Sequence, residues 1–212
     1  MNPIPRLSAD DRRAQIIEAI TPAVLEHGAA ITTRELAEAA GVAEGTLFKA
    51  FGDKESLLVA LAEHHLDASS FAAEQGALEF DSIADLVETT SRTLVDRFRF
   101  VYRLVMALGP IGQRVASERH AEFESSKHRL AERFVPFRDE LRVSPLVAAD
   151  VLRSLAWAAS SSWGEHSPTS EVDDIIQVLL HGIVRTEAAT TRSADLVPAA
   201  GTPASAPENQ KA

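Results

Sequence analysis

Apolar residues recur at spacings of three and four along almost the whole chain, and no β-branched run alternates between hairpin turns. An apolar stripe of that period must be buried against another element, and with no strand pattern present the chain is restricted to packed helices. Ile16, Ile17, Ile20, Val24 and Leu25 make a first stripe. Ile83, Leu86, Val87, Leu94, Val95, Phe98, Val101, Tyr102 and Val105 make a longer one, which Gly109-Pro110 stops. A further pattern carries Phe123, Leu130, Phe134 and Phe137 and is interrupted by Pro136. A small-residue helix is predicted over Pro145 to Trp163, and Val172, Ile175, Ile176, Leu179, Leu180, Ile183 and Val184 make a last narrow stripe. The fold class is all-α, and 212 residues suffice for a substantial core without staples.

Local signals divide the first sixty residues. Ser8 with Asp11 caps a first helix, Pro22 should kink it or tighten the turn, and Gly28 ends it. Thr32 and Glu35 form a capping box for a short helix that Gly41 closes. After a turn at Val42, a second short helix runs from about Ala43 to Phe51, and Asp53 caps a longer one. Helix, glycine turn, helix is the helix-turn-helix arrangement. Leu36, Ala37, Val42, Leu47 and Phe51 supply its small core, which leaves Glu44, Gly45, Thr46 and Lys49 on one open side. A recognition helix meets base edges in the major groove through such a side.

This segment resembles the TetR family of bacterial transcriptional repressors. The resemblance rests on Arg34-Glu35-Leu36-Ala37, Ala40-Gly41-Val42, Gly45-Thr46-Leu47-Phe48, Phe51 and Asp53-Lys54-Glu55-Ser56-Leu57-Leu58, over roughly residues 10–60. It implies an N-terminal three-helix DNA-binding domain, residues 1–56, followed by an effector-binding and dimerisation domain, residues 57–188. The implied DNA contacts are Thr32, Thr33 and Arg34 at a helix start, Glu44, Gly45, Thr46, Phe48 and Lys49 on the recognition helix, and Lys54 in the family's phosphate-clamp position. Three residues depart from the family pattern: Ala43 replaces a Ser or Thr cap, Phe48 replaces Tyr, and Glu44 sets a negative charge near the DNA.

Charge bears on that reading. The formal net charge is −10. Residues 1–56 hold six Lys/Arg against nine Asp/Glu, whereas residues 92–142 hold eleven against seven. An acidic protein can still bind DNA, because the contact surface needs only a few placed cations and helix N-termini.

A DNA-reading unit this small gains affinity and specificity by dimerising on a two-fold site. Leu152, Leu155 and Ala159 with Ile176, Leu179, Leu180 and Ile183 are the candidate homodimer interface, an intermolecular four-helix bundle. Phe98, Tyr102, Met106, Phe123 and Trp157 are the candidate lining of a small-molecule effector pocket. Without cysteine there is no disulfide, thiolate zinc site or cysteine nucleophile. There is no Gly-rich phosphate loop, and Ser160-Ser161-Ser162 lacks a nucleophile elbow, so no enzyme or cofactor is expected. His120, Glu124 and His128 share a helix face but match no metal motif, and the adjacent His64 and His65 should point apart. No apolar run spans a bilayer and no signal core opens the chain, so a cytoplasmic, non-membrane protein is expected. The Ala-, Ser-, Thr- and Pro-rich stretch at 189–212 reads as a disordered tail. The alternative is a helical small-molecule-binding protein without sequence-specific DNA binding.

Overall fold

The protein is described here from a computed structural model, over residues 8–68, 78–160 and 172–184. The described residues are helical, with no strand among them. α1 (Ala9–His27), α2 (Thr33–Ala40), α3 (Glu44–Phe51) and α4 (Lys54–Leu66) come first. α5 (Ile83–Leu108), α6 (Pro110–Glu118), α7 (His120–Phe134), α8 (Pro145–Ser160) and α9 (Val172–Ile183) follow. The 189–212 tail and the end of the small-residue helix at 161–163 lie outside the described residues.

The helix starts follow local chemistry. Ser8 Oγ accepts the Asp11 N–H at 3.0 Å, and the Asp11 carboxylate accepts the Ser8 N–H at 3.2 Å. Thr32 and Glu35 make the same reciprocal pair. Gly41 ends α2 in the left-handed region at φ 64°, where a side chain would be strained. Asp53 caps α4 by accepting the Ser56 N–H at 2.7 Å. Pro22 does not break α1, which runs on to His27. Pro22 and Glu18, whose carbonyl loses its partner, are both exposed, so water can take the missing bond.

Two apolar cores form. The first gathers Ile16, Ile20, Val24, Leu36, Leu47, Phe51, Leu57, Leu58 and Leu61 from α1–α4. The second gathers Ile83, Leu86, Leu94, Phe98, Phe134, Leu152, Ile175 and Leu179 from α5, α7, α8 and α9. α5 belongs to both: its last two turns put Leu104 and Leu108 in the first core, while its earlier turns lie in the second. Residue 56 is therefore no boundary between cores. Leu57, Leu58, Leu61 and Ala62 of α4 complete the first core, and Leu104, Leu108 and Val115 close it from the other side.

Two glycines let backbones meet at this junction. A Cβ on Gly28, where φ is +65°, would sit 2.8 Å from the Ala107 carbonyl oxygen of α5. A Cβ on Gly112 of α6 would sit 2.7 Å from the Val105 carbonyl oxygen and 3.1 Å from the Leu108 Cβ. Neither neighbour is a flexible tip, so both contacts fix α5 against the first core.

The expected interface residues are placed differently from the sequence reading. Leu152, Ala159, Ile176, Leu179 and Ile183 are buried within the single chain, and Leu155 and Leu180 pack against the same core. Their stripes face each other and α5, because a stripe's period requires burial but does not name the partner. The outer surfaces of α8 and α9 instead expose Leu146, Val147 and Val178. No described helix is long and apolar enough to cross a membrane.

Gly28→Ala and Gly112→Ala should each lower the thermal midpoint by several degrees, at about 1–3 kcal/mol apiece. Thermal unfolding checks this; an unchanged midpoint for both would remove the close approaches from the account.

Candidate nucleic-acid interface and effector cavity

α3 separates its residues cleanly. Leu47 and Phe51 point into the first core, while Glu44, Gly45, Thr46, Phe48 and Lys49 are exposed. The Phe48 ring is 43% exposed, a large apolar surface for a helix of eight residues. Nothing lies within 4 Å of a Cβ built on Gly45, so neither packing nor backbone strain requires glycine there. The missing side chain leaves room for another molecule to approach the helix backbone. Ala43 occupies the cap position without a side-chain bond, which leaves first-turn N–H groups of α3 open to an outside acceptor. Lys49 makes no ion pair among the described residues.

Residues on α2 flank this face. Thr33 Oγ1 donates to the Glu44 carboxylate at 3.3 Å, which draws the negative charge of α3 back toward α2. Arg34 pairs with Glu38 at 2.9 Å, with both side chains mostly exposed, and the pairing holds its guanidinium above the usual range. A surface pair of this kind exchanges readily for a phosphate. Thr32 is occupied by its capping box, which also holds the Glu35 carboxyl below its usual range.

Lys54 is positioned by a longer-range contact. It opens α4, and its Nζ donates to the Ala29 carbonyl at 2.9 Å across the turn that follows α1. Its side chain thus ties α4 to that turn, and its charge lies beside the N-terminus of α4.

At the other end of α4 the adjacent histidines converge instead of pointing apart. His64 Nε2 is 2.7 Å from Glu18, and the His65 ring stands 5.0 Å from both His64 and Phe100 of α5. Thr21 uses its proton on the Ile17 carbonyl at 2.7 Å, so it accepts from His65 Nε2 at 2.8 Å. Burial pushes the His65 ring below its usual range, against the opposing effect of Glu18. Ligand atoms of Glu18, His64 and His65 lie within 4.8 Å of one another, the one such cluster among the described residues. His120 and Glu124 lie outside the described side chains.

A cavity of about 950 Å³ opens beside α5. Phe98, Tyr102 and Met106, four residues apart on one face, line it, and Trp157 joins them from α8. The Phe98 and Trp157 rings meet edge to face at 5.5 Å. The Phe123 side chain lies outside the described residues. The cavity also holds residues that sequence reading missed, including Thr90, Arg133 and Arg153. Arg97 links it to α4, donating to the His65 carbonyl and to that of Asp67 at 3.4 Å. Those carbonyls end α4, so Arg97 caps that helix.

Residues 16–61 match the family described as bacterial regulatory proteins, tetR family. The N-terminal domain is a TetR-family domain. Solved structures share the wider fold. The NalD repressor of Pseudomonas aeruginosa is similar at 21% identity and a TM-score of 0.55, over 84% of this chain and 99% of that one. Reduced NemR of E. coli aligns at 17% identity and a TM-score of 0.61, over 82% and 97%. A SmeT–triclosan complex aligns at 20% identity and a TM-score of 0.57, over 93% and 99%. The chain thus joins a TetR-family helix-turn-helix domain to a larger helical domain of the kind these regulators carry.

Gly45→Ala should stabilise α3 by up to about 1 kcal/mol while weakening DNA binding, an opposition that thermal melts and gel shifts together would read. Equal or tighter DNA binding would remove Gly45 from the interface. For His65 the folded-state pKa is depressed, so the unfolded chain takes up the proton first as pH falls. Stability should be full above about pH 6.5 and decline below it, and His65→Gln should flatten that decline.

Proposed function

We propose that this chain is a transcriptional repressor that binds a palindromic operator as a cytoplasmic homodimer and leaves it when a small molecule fills the cavity. One observation carries the reading: α3 exposes Gly45, Thr46, Phe48 and Lys49 outside a core that continues through α5 to the cavity wall. Lys49 donates to guanine acceptors or phosphate, and Thr46 touches a thymine methyl. Thr32, Thr33, Arg34 and Lys54 position the domain on phosphates through side chains and helix-start N–H groups. NalD, a repressor, and SmeT, which holds triclosan, support the repressor and effector parts of the proposal.

The release mechanism runs through α4 and α5. Operator binding selects the state whose two recognition helices match successive major grooves, ~34 Å apart. A ligand that draws Arg97 from the α4 carbonyls, or shifts α5 against Gly28, favours a different spacing. The same coupling free energy, typically about 1–3 kcal/mol, acts on operator affinity and on effector affinity. The second copy docks on the outer face of α8 and α9, where Leu146, Val147 and Val178 are exposed. No step in this account requires a cofactor.

Selection from a random duplex pool, at low and near-physiological salt, should enrich a palindrome. Lys49→Ala should relax one position at a cost of about 1–3 kcal/mol, while Lys54→Ala should weaken all sequences alike. No enrichment at either salt would favour a small-molecule binder that does not read DNA. Val178→Glu should shift the protein toward monomer in sedimentation, whereas Leu152→Ala should lower stability by about 2–5 kcal/mol. A dimer untouched by Val178→Glu would exclude that face.

A further inference from the structure

The cavity carries more positive charge than its apolar walls require. Arg97, Arg119, Arg129, Arg133 and Arg153 line it, and Glu132 is the one carboxylate among its lining residues. Four of these arginines have partners elsewhere. Arg97 holds the end of α4, and Arg119 pairs with Glu122 at 2.9 Å. Arg129 donates to Ser125 at 3.5 Å, and Arg153 faces Asp150 at 3.9 Å.

Arg133 differs. Its guanidinium carbon lies 4.5 Å above the centre of the Phe80 ring, and its Nη2 is buried with no hydrogen-bond partner among the described residues. Burial pushes the group below its usual range. Thr90 lines the same cavity, is 2% exposed, and its Oγ1 also has no partner among the described residues. A buried polar group left unmatched is costly, and more so when charged.

Both residues lie on helices of the second core. Thr90 lies one turn from Leu86 and Val87, and Arg133 precedes Phe134, all of them in the second core. Arg119 and Arg129 also border the cleft against α1 and α4. Leu94, Phe98, Val101 and Trp157 supply apolar wall. A neutral apolar guest would cover that wall and leave Arg133 and Thr90 unmatched. A guest with a carboxylate at one end would offer an acceptor to both once their covered polar atoms turn toward the cavity, through charge-assisted bonds.

We propose that the cavity takes an amphipathic organic anion, an apolar body ending in a carboxylate, with the carboxylate held by Arg133 and Thr90. This names the class of effector in the repressor reading, and it rests on that reading only for the consequence of binding. The occupancy of the cavity requires no DNA.

Calorimetric titration of the full chain with dodecanoate, 1-dodecanol and dodecylammonium, in the absence of DNA, tests it. Dodecanoate should bind about 10- to 100-fold tighter than 1-dodecanol, the range for hydrogen bonds to a charged group. Arg133→Gln should bring the two within about threefold, and Thr90→Val should narrow the margin by about fivefold. Arg99→Gln, an exposed arginine on α5 outside the cavity lining, should leave the margin unchanged. Melts of each variant separate lost binding from lost folding, and Thr90→Val decides if Arg133→Gln does not fold. Equal affinities, a preference for 1-dodecanol or dodecylammonium, or no binding of any of the three would overturn the proposal. Those results would leave operator binding standing, and a chain that fails to select DNA but prefers dodecanoate would sink only the repressor reading.

Discussion

α5 is a side of two cores at once. Leu94 and Phe98 pack among α7, α8 and α9, while Leu104 and Leu108, two to three turns on, pack among α1, α4 and α6. A helix is stiff over that length, so a displacement at one end reaches the other. The backbone approaches at Gly28 and Gly112 leave no compressible side chain between α5 and its neighbours. The cavity wall at Phe98, Tyr102 and Met106 belongs to the same helix as the residues that hold the helix-turn-helix. In the proposed mechanism, coupling between a ligand and DNA runs through this packing, with Arg97 adding a polar link to the end of α4.

The proposed DNA-facing surface works against an acidic background. Glu44 turns toward Thr33, Glu35 is tied into a capping box, and Arg34 is held by Glu38. These contacts keep carboxylates occupied beside the open face of α3. On the proposed reading, fewer available cations mean fewer phosphate contacts, hence less of the sequence-independent affinity and a larger share for groove contacts by Thr46, Phe48 and Lys49.

What was legible in the sequence was local. The capping boxes at Ser8 and Thr32, the left-handed Gly41, the Asp53 cap and the break at Gly109-Pro110 each depend on residues within four positions of one another. Phe98, Tyr102 and Met106 were also legible as a set, because i, i+4 and i+8 share a helix face. Long-range contacts were not. Nothing near Lys54 in sequence announces the Ala29 carbonyl, and nothing near Arg97 announces the end of α4. The stripes at Leu152 and Leu179 declare burial without naming their partner, and in this structure they pack in the chain's own core. His64 and His65 converge because α1 and α5 bring Glu18, Thr21 and Phe100 to them.

The coupling through α5 is most directly tested by hydrogen exchange of the chain with and without the duplex recovered by selection. Slowed exchange should extend beyond α2 and α3, through the last turn of α4, to the cavity-facing residues of α5 between Arg97 and Leu108. Protection confined to residues 32–54, with α5 unchanged, would contradict the account.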